Sequence, residues 1–420
     1  MKNDQQRKVS EKQEQQAGPP KLFPNLVKGV AIILTAIFEE GLYADKAIER
    51  SFKNMPKWGS RDRAFVAESV YEIVRWYRPL ATLLGRNPSS ELDWWRIFGI
   101  FYLIKGRELP HWEEFQGLNR DNLQDRYRDL CGLRKFRESI PDWIDELGEK
   151  ELGEDWAKIL PALNDPARVV IRVNRLKADI PELHALLLDE EVRTEPLNGD
   201  AMVVTERKNL FNTQAFKKGW FEIQDWSSQQ VAPLLNVLPG MRVIDACAGA
   251  GGKTLHIAAL MQNKGQIIAL DTEAWKLDEL RKRARRNGVD IIEARPVEST
   301  KTIKRLAGSA DRLLIDAPCS GLGVLRRNPD AKWKLTPDFI DRVRQTQAEL
   351  LESYSRMLKP GGKMVYATCS ILPSENEKQV EAFMARHGDS FEWQESKTLA
   401  PHICGFDGFY LALLEKKKAE

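Results

Sequence analysis

The chain has 420 residues, more than one hydrophobic core serves, so roughly two or three domains are expected. Its composition is globular, 42% hydrophobic and 30% charged with a mean hydropathy of −0.45, and it holds no apolar run long enough for a transmembrane helix. A net charge of +3 neither demands nor excludes a nucleic-acid partner, so any basic surface has to be local.

The opening MKNDQQRKVSEKQEQQ lacks the apolar core of a secretory signal, and residues 1–22 read as a disordered tail. Residues 23–150 read as all-helical. Leu26, Val30, Ile33, Leu34 and Ile37 recur at helical spacing, as do Phe65, Val66, Val70, Ile73 and Val74. The aromatics here, Trp58, Trp76, Tyr77, Trp94, Trp95 and Trp112, are best taken as bundle core. Residues 151–235 mix short strands with turns and read as a small α+β connector. From about residue 239, within a domain spanning 236–420, the rhythm becomes strand and helix in turn. MRVIDA, IIALD, RLLIDAP, KMVYAT and FYLALLEK are strands, and 253–261, 273–287, 337–358 and 375–386 are helices. That alternation specifies a mostly parallel sheet covered on both faces, with ligands beyond the carboxyl ends of its strands.

The stretch VIDACAGAGGKT puts Gly249, Gly251 and Gly252 between the first strand and its helix, where backbone amides can approach a ligand closely. Asp271 ends the second strand, placed to accept ribose hydroxyls. Loop and acid together indicate a nucleoside-containing cofactor. The tail GGKT also suggests a phosphate-binding P-loop, with Asp316 as its magnesium-side acid. The first glycine of that pattern would fall at Cys247 and is absent. A tight turn without ligand is the plainest alternative.

Five cysteines, Cys131, Cys247, Cys319, Cys369 and Cys404, show neither CxxC nor metal spacing. Free thiols in a reducing, cytoplasmic setting are expected, and no metal site. Two of them end neighbouring strands of a 3-2-1-4-5 sheet: Cys319 in DAPCSG, beside Asp316, and Cys369 in ATCS. A lone cysteine is usually a small buried hydrophobe, but a pair at adjacent strand ends on the ligand side is harder to set aside.

These segments resemble the RsmB/Nop2-type RNA 5-methylcytosine methyltransferases. The likeness rests on DACAGAGGKT, IIALD, LLIDAPCSGLGVLRRNPD, YATCSILPSENE and GFDGFYLALLEK, with RVNRLK and IQDWSSQ upstream. GLYADKAIER and SRDRAFVAESVYEIVRW resemble the NusB-like domain of the bacterial members that modify 16S rRNA. The resemblance implies a Rossmann-like class I methyltransferase domain with a mostly parallel seven-stranded sheet, after a helical NusB-like RNA-binding domain and the α+β connector. It implies S-adenosylmethionine held by Cys247, Ala248, Gly249, Ala250, Gly251, Gly252, Lys253, Asp271 and Asp316. It further implies Cys369 as nucleophile, Cys319 as the thiol assisting release, and Asp316 between cofactor and base.

The chemistry suits the pair, because carbon 5 of cytosine attacks a sulfonium methyl only after a thiolate has added to carbon 6, a step that a carboxyl group at N3 assists. The family's usual CAAPGGKT is altered here at Gly249 and Ala250. Its acid after strand three has no clear match, with Glu293 or Glu298 the nearest candidates. RNA, 16S rRNA in particular, is the expected partner, with no membrane and a monomeric state. Arg326 and Arg327 beside the Pro-Cys motif are expected at phosphates, with Arg172 and Arg175 extending that surface. The basic helix around Arg281 to Arg286 reads as a solvated face and His256 as core. The rival functions are a P-loop-like RNA-dependent NTPase and a non-catalytic rRNA-binding assembly factor.

Overall fold

The computed structural model describes residues 22–206 and 208–418; the expected tail lies almost wholly outside them. The chain divides into two compact units, one reaching to Glu146 and including Asn328–Lys334, the other formed by Leu147–Arg327 and the chain from Leu335 onward.

The first unit is helical, as expected. Helices α1 (Pro24–Phe38), α2 (Ser60–Arg75) and α3 (Glu91–Ile104) surround a core holding Val27, Val30, Leu34, Val66, Val70, Ile73, Trp94 and Phe98. Phe38 stacks on Tyr77 and Trp94 at 4.1 and 5.2 Å between ring centroids, and the Trp94 indole donates to Glu39 at 2.8 Å. Trp58, Trp94 and Trp95 are core and Trp76, Tyr77 and Trp112 pack against it, as expected.

The segment Asn328–Lys334 completes this unit. Asp330 accepts the amide of Ala44, the first residue of the helix Ala44–Asn54, at 3.0 Å. Lys332 Nζ donates to the carbonyl of Arg75 at 2.9 Å and Trp333 Nε1 to that of Val74 at 2.7 Å, at the end of α2. A carboxylate at a helix start and lysine and indole donors at a helix end satisfy orphan backbone groups.

The second unit holds two sheets. The smaller is antiparallel, order β2-β3-β1-β4, from β1 (Val169–Val173), β2 (Thr194–Pro196), β3 (Ala201–Val204) and β4 (Phe221–Ile223). The larger has seven strands: β5 (Arg242–Asp245), β6 (Gln266–Asp271), β7 (Ile292–Pro296), β8 (Ala310–Asp316), β9 (Leu358–Thr368), β10 (Phe391–Leu399) and β11 (Phe409–Lys416), in the order β10-β11-β9-β8-β5-β6-β7. Strands β5 to β9 run parallel, and β11 is antiparallel to both neighbours. Successive residues of one strand enter different cores, Val243 one and Ile244 the other, so both faces are covered. The helices of this domain include α4 (Gly252–Leu260), α5 (Ala274–Asn287), α6 (Pro337–Tyr354) and α7 (Glu377–His387). This is the Rossmann-like arrangement expected, with the 3-2-1-4-5 core intact.

The small sheet belongs to the same unit as the large one. Asn174, just after β1, donates to the carbonyls of Gly219 at 2.8 Å and Asn287 at 3.0 Å. No helix among the described residues is long and apolar enough to cross a membrane.

Candidate active site

The loop after β5 turns sharply. Gly249 and Gly251 have φ of +54° and +86°, values that glycine adopts without cost. A Cβ on Gly251 would lie 2.6 Å from Leu280, so this turn also needs the missing side chain, whereas one on Gly249 would meet nothing within 4 Å. The loop is tied from behind. Asp271 accepts the amide of Gly249 at 2.9 Å and that of Glu273 at 2.9 Å, so the acid ending β6 organises the loop as well as facing it. Thr254, in α4, donates to Asp245 at 2.7 Å. Burial pushes the Asp245 carboxyl up to about 7, against the Thr254 hydrogen bond. The Cys247 thiol is likewise raised, first by burial and then by Asp245, Asp316 and Asp271, which keeps it protonated and unreactive.

Lys253 donates to Asp316 at 2.7 Å, and its ammonium stands 5.3 Å from the Phe409 ring centre. Burial opposes the Lys253 charge, but Asp316 outweighs it and the ammonium is held above its usual range.

Asp316 pairs with Ala367 across the parallel strands β8 and β9, which brings the ends of both strands level. The chain then delivers Cys319 and Cys369 side by side, both free and half-buried, with their sulfurs 3.2 Å apart. The Cys319 thiol is pushed well above the usual range by its hydrogen bond to Cys369, by burial and by the charges of Cys369 and Glu375. Burial and these neighbours therefore favour the protonated Cys319 thiol, in hydrogen-bond reach of Cys369. The turn behind them needs two glycines, since a Cβ on Gly323 would fall 2.2 Å from the Gly408 carbonyl and 2.7 Å from that of Cys369.

Comparison with known proteins agrees with this geometry. Residues 232–415 match the family described as 16S rRNA methyltransferase RsmB/F, and residues 140–209 its ferredoxin-like domain. A probable ribosomal RNA small subunit methyltransferase B from Synechocystis sp. is 32% identical, covering 92% of this chain and 98% of its own. The chain belongs to the RsmB/F family of methyltransferases. A ribosomal RNA small subunit methyltransferase B from Yersinia pseudotuberculosis is 33% identical over 94% of this chain and 99% of its own. The crystal structure of PH0851 superposes with a TM-score of 0.80 at 25% identity, over 94% of this chain and all of that one.

Membership in RsmB/F makes S-adenosylmethionine the methyl donor. The open backbone at Gly249 and the acid ending β6 fit its nucleoside part. The P-loop reading gives way to the family match, with Cys247 standing where the first glycine of that pattern would be.

Three of the four arginines expected at RNA phosphates are turned to internal work. Arg326 is buried and donates to the carbonyls of Gly405 at 2.7 Å and Ala162 at 2.5 Å. Arg327 is clamped between Asp407 and Asp225, both at 2.6 Å, so its charge is already matched. Arg172 is 2% exposed and donates to Gln224 and, at 2.7 Å, to the carbonyl of Gly252. Burial lowers its guanidinium to about 10, with Glu222 opposing. Only Arg175 has a side chain open to solvent, 41% exposed, and it pairs with Asp200 at 2.6 Å. The basic helix α5 is solvated only in part. Arg281 and Lys282 pair with Asp278 and Glu279 on the surface. Arg283 and Arg286 hold the buried Glu222, and Arg283 also donates to the Ala250 carbonyl at 2.7 Å. Arg172 and Arg283 thus grip the glycine loop from the far side, a role the sequence did not suggest. His256 is core, as expected; burial and Arg172 lower it to about 4, keeping it neutral. Glu293 is occupied by Arg295 at 2.6 Å.

Proposed function

We propose that this protein transfers a methyl group from S-adenosylmethionine to carbon 5 of a cytosine in small-subunit rRNA, through a covalent adduct on Cys369. The observation that carries the reading is the pair of free thiols 3.2 Å apart beside the Lys253–Asp316 ion pair. When bound, S-adenosylmethionine supplies an electrophilic methyl on a sulfonium centre. Residues 247–253 and Asp271 would hold it, with Asp316 at its border with the base.

Cys369 adds as thiolate to carbon 6 of the cytosine, with the Cys319 S–H hydrogen bond steadying the anion beforehand. Asp316, taking a proton from its partner Lys253, donates it towards N3 and so supports the electron density that makes carbon 5 nucleophilic. Once carbon 5 carries the methyl group, a water molecule takes its proton, the 5,6 double bond re-forms and the Cys369 sulfur is expelled as thiolate. Cys319, which keeps its proton, hydrogen-bonds the departing sulfur and steadies it as it leaves. The helical unit and Arg175 serve RNA binding, and the enzyme acts in the cytoplasm as a monomer.

Incubating the protein with methyl-labelled donor and unmodified 16S rRNA, then digesting to nucleosides, tests the reading. Label is expected in 5-methylcytidine. Label in another nucleoside, or none from a folded protein that binds the donor, overturns it.

A further inference from the structure

Glu375 is fully buried, yet no step above uses it. It closes the turn Pro373–Glu375 in the segment that follows Cys369. A carboxylate removed from water is costly unless donors surround it. Here the donors come from the two cysteine loops. Oε2 accepts the backbone amide of Ser320 at 2.8 Å and Nε2 of Gln347 at 3.0 Å, while Oε1 accepts the Ser370 hydroxyl at 2.6 Å. The same Gln347 amide donates to the Pro318 carbonyl at 2.9 Å. The two serine hydroxyls lie 3.2 Å apart, and each accepts an amide of its own loop, Leu322 at 3.3 Å and Leu372 at 3.1 Å.

These contacts fall on the residues either side of Cys319 and on the residue after Cys369. We propose that Glu375 is the positioning residue of the cysteine pair: by holding Ser320 and Ser370 on one carboxylate it sets the 3.2 Å spacing of the two sulfurs. The inference rests on the assignment of Cys369 as nucleophile and Cys319 as its helper. The Glu375 charge acts in the same direction as the geometry, since it is among the causes that keep the Cys319 proton in place. A purely structural glutamate would fix the loops without governing that proton.

Glu375→Gln in the full chain keeps the shape and removes the charge, and it turns one acceptor into a donor. Turnover in methyl transfer should fall by about 100-fold, the cost of a misplaced reacting group, with donor affinity and the KM for rRNA unchanged. The pH at which iodoacetamide labels Cys319, read by peptide mass spectrometry, should move down. Wild-type turnover in the folded variant, or a loss matching its lost folded fraction with an unshifted labelling profile, overturns the proposal. If Glu375→Gln does not fold, Ser370→Ala removes only the bond on the Cys369 side. Slower transfer with altered labelling of the pair then supports the proposal, and neither change refutes it. Labelling needs no RNA and no methyl donor. A wild-type protein that makes no 5-methylcytidine therefore overturns the functional reading, whereas an unshifted profile overturns the role of Glu375.

Discussion

Arg172→Met separates a buttress from an RNA contact. The guanidinium is buried and donates to the Gly252 carbonyl at 2.7 Å, at the start of α4. A hydrogen bond from a charged donor contributes about 1.5–3 kcal/mol, and the Gln224 oxygen left without this donor adds a further penalty of about 1–3 kcal/mol. Methionine refills most of the space along the stem, so the cavity contribution is small. The total, about 3–5 kcal/mol, matches the loss expected on breaking a buried charged network. For a unit of this size, each kcal/mol lowers Tm by about 2–4 °C, so a drop of about 6–20 °C is expected by calorimetry. Donor affinity should fall with it, because the glycine loop loses its grip from behind, while RNA affinity per folded molecule should hold. If Arg172 instead touched a phosphate, Tm would stay put, RNA binding would weaken at every sequence, and the salt dependence of binding would lose about one unit of slope. That result would refute the buttress.

Asp271→Ala should weaken S-adenosylmethionine binding by about ten- to a hundredfold while sparing RNA binding, since it removes charge-assisted bonds at the loop and the nucleoside; calorimetry reads both. Asp245 holds a proton up to about pH 7 when folded, whereas unfolded it releases that proton near pH 4. Stability should therefore fall as pH rises from about 4 to 7 and then level off, by at most about 4 kcal/mol. Asp245→Asn, which still accepts from Thr254, should flatten that slope in urea titrations at several pH values. Asp330→Ala removes the remote cap on the helix Ala44–Asn54 and should cost about 1–2 kcal/mol, seen as faster amide exchange in that helix.

The large sheet was legible because its parallel strands are continuous apolar runs that alternate with amphipathic helices. The cysteine pair followed from the strand order, since Cys319 and Cys369 close adjacent strands. Strand β10, by contrast, was missed: FEWQESKTL is an edge strand, paired on one side only, and most of its residues are exposed, so no alternation marks it. The place of the segment 328–334 in the helical unit was not legible, because its partners Ala44, Val74 and Arg75 lie more than 250 residues away in sequence. The arginines misled for the same reason. Whether an arginine faces phosphate or a buried carboxylate depends on residues such as Asp407 or Gly252 that only the fold brings near. Nothing in the sequence singled out Glu375, one of two acids in LPSENE.

The central claim is that the two thiols divide the work, and a denaturing gel tests it most directly. Cys369→Ser should abolish methyl transfer and give no band of protein bound to RNA, because a serine hydroxyl is far less nucleophilic than a thiolate at neutral pH. Cys319→Ser should still attack and accept the methyl group but release slowly, so a shifted, nuclease-sensitive band that depends on S-adenosylmethionine should accumulate. A trapped band from Cys369→Ser with a silent Cys319→Ser would reverse the roles, and full activity in both variants would show the pair to be structural and contradict the mechanism.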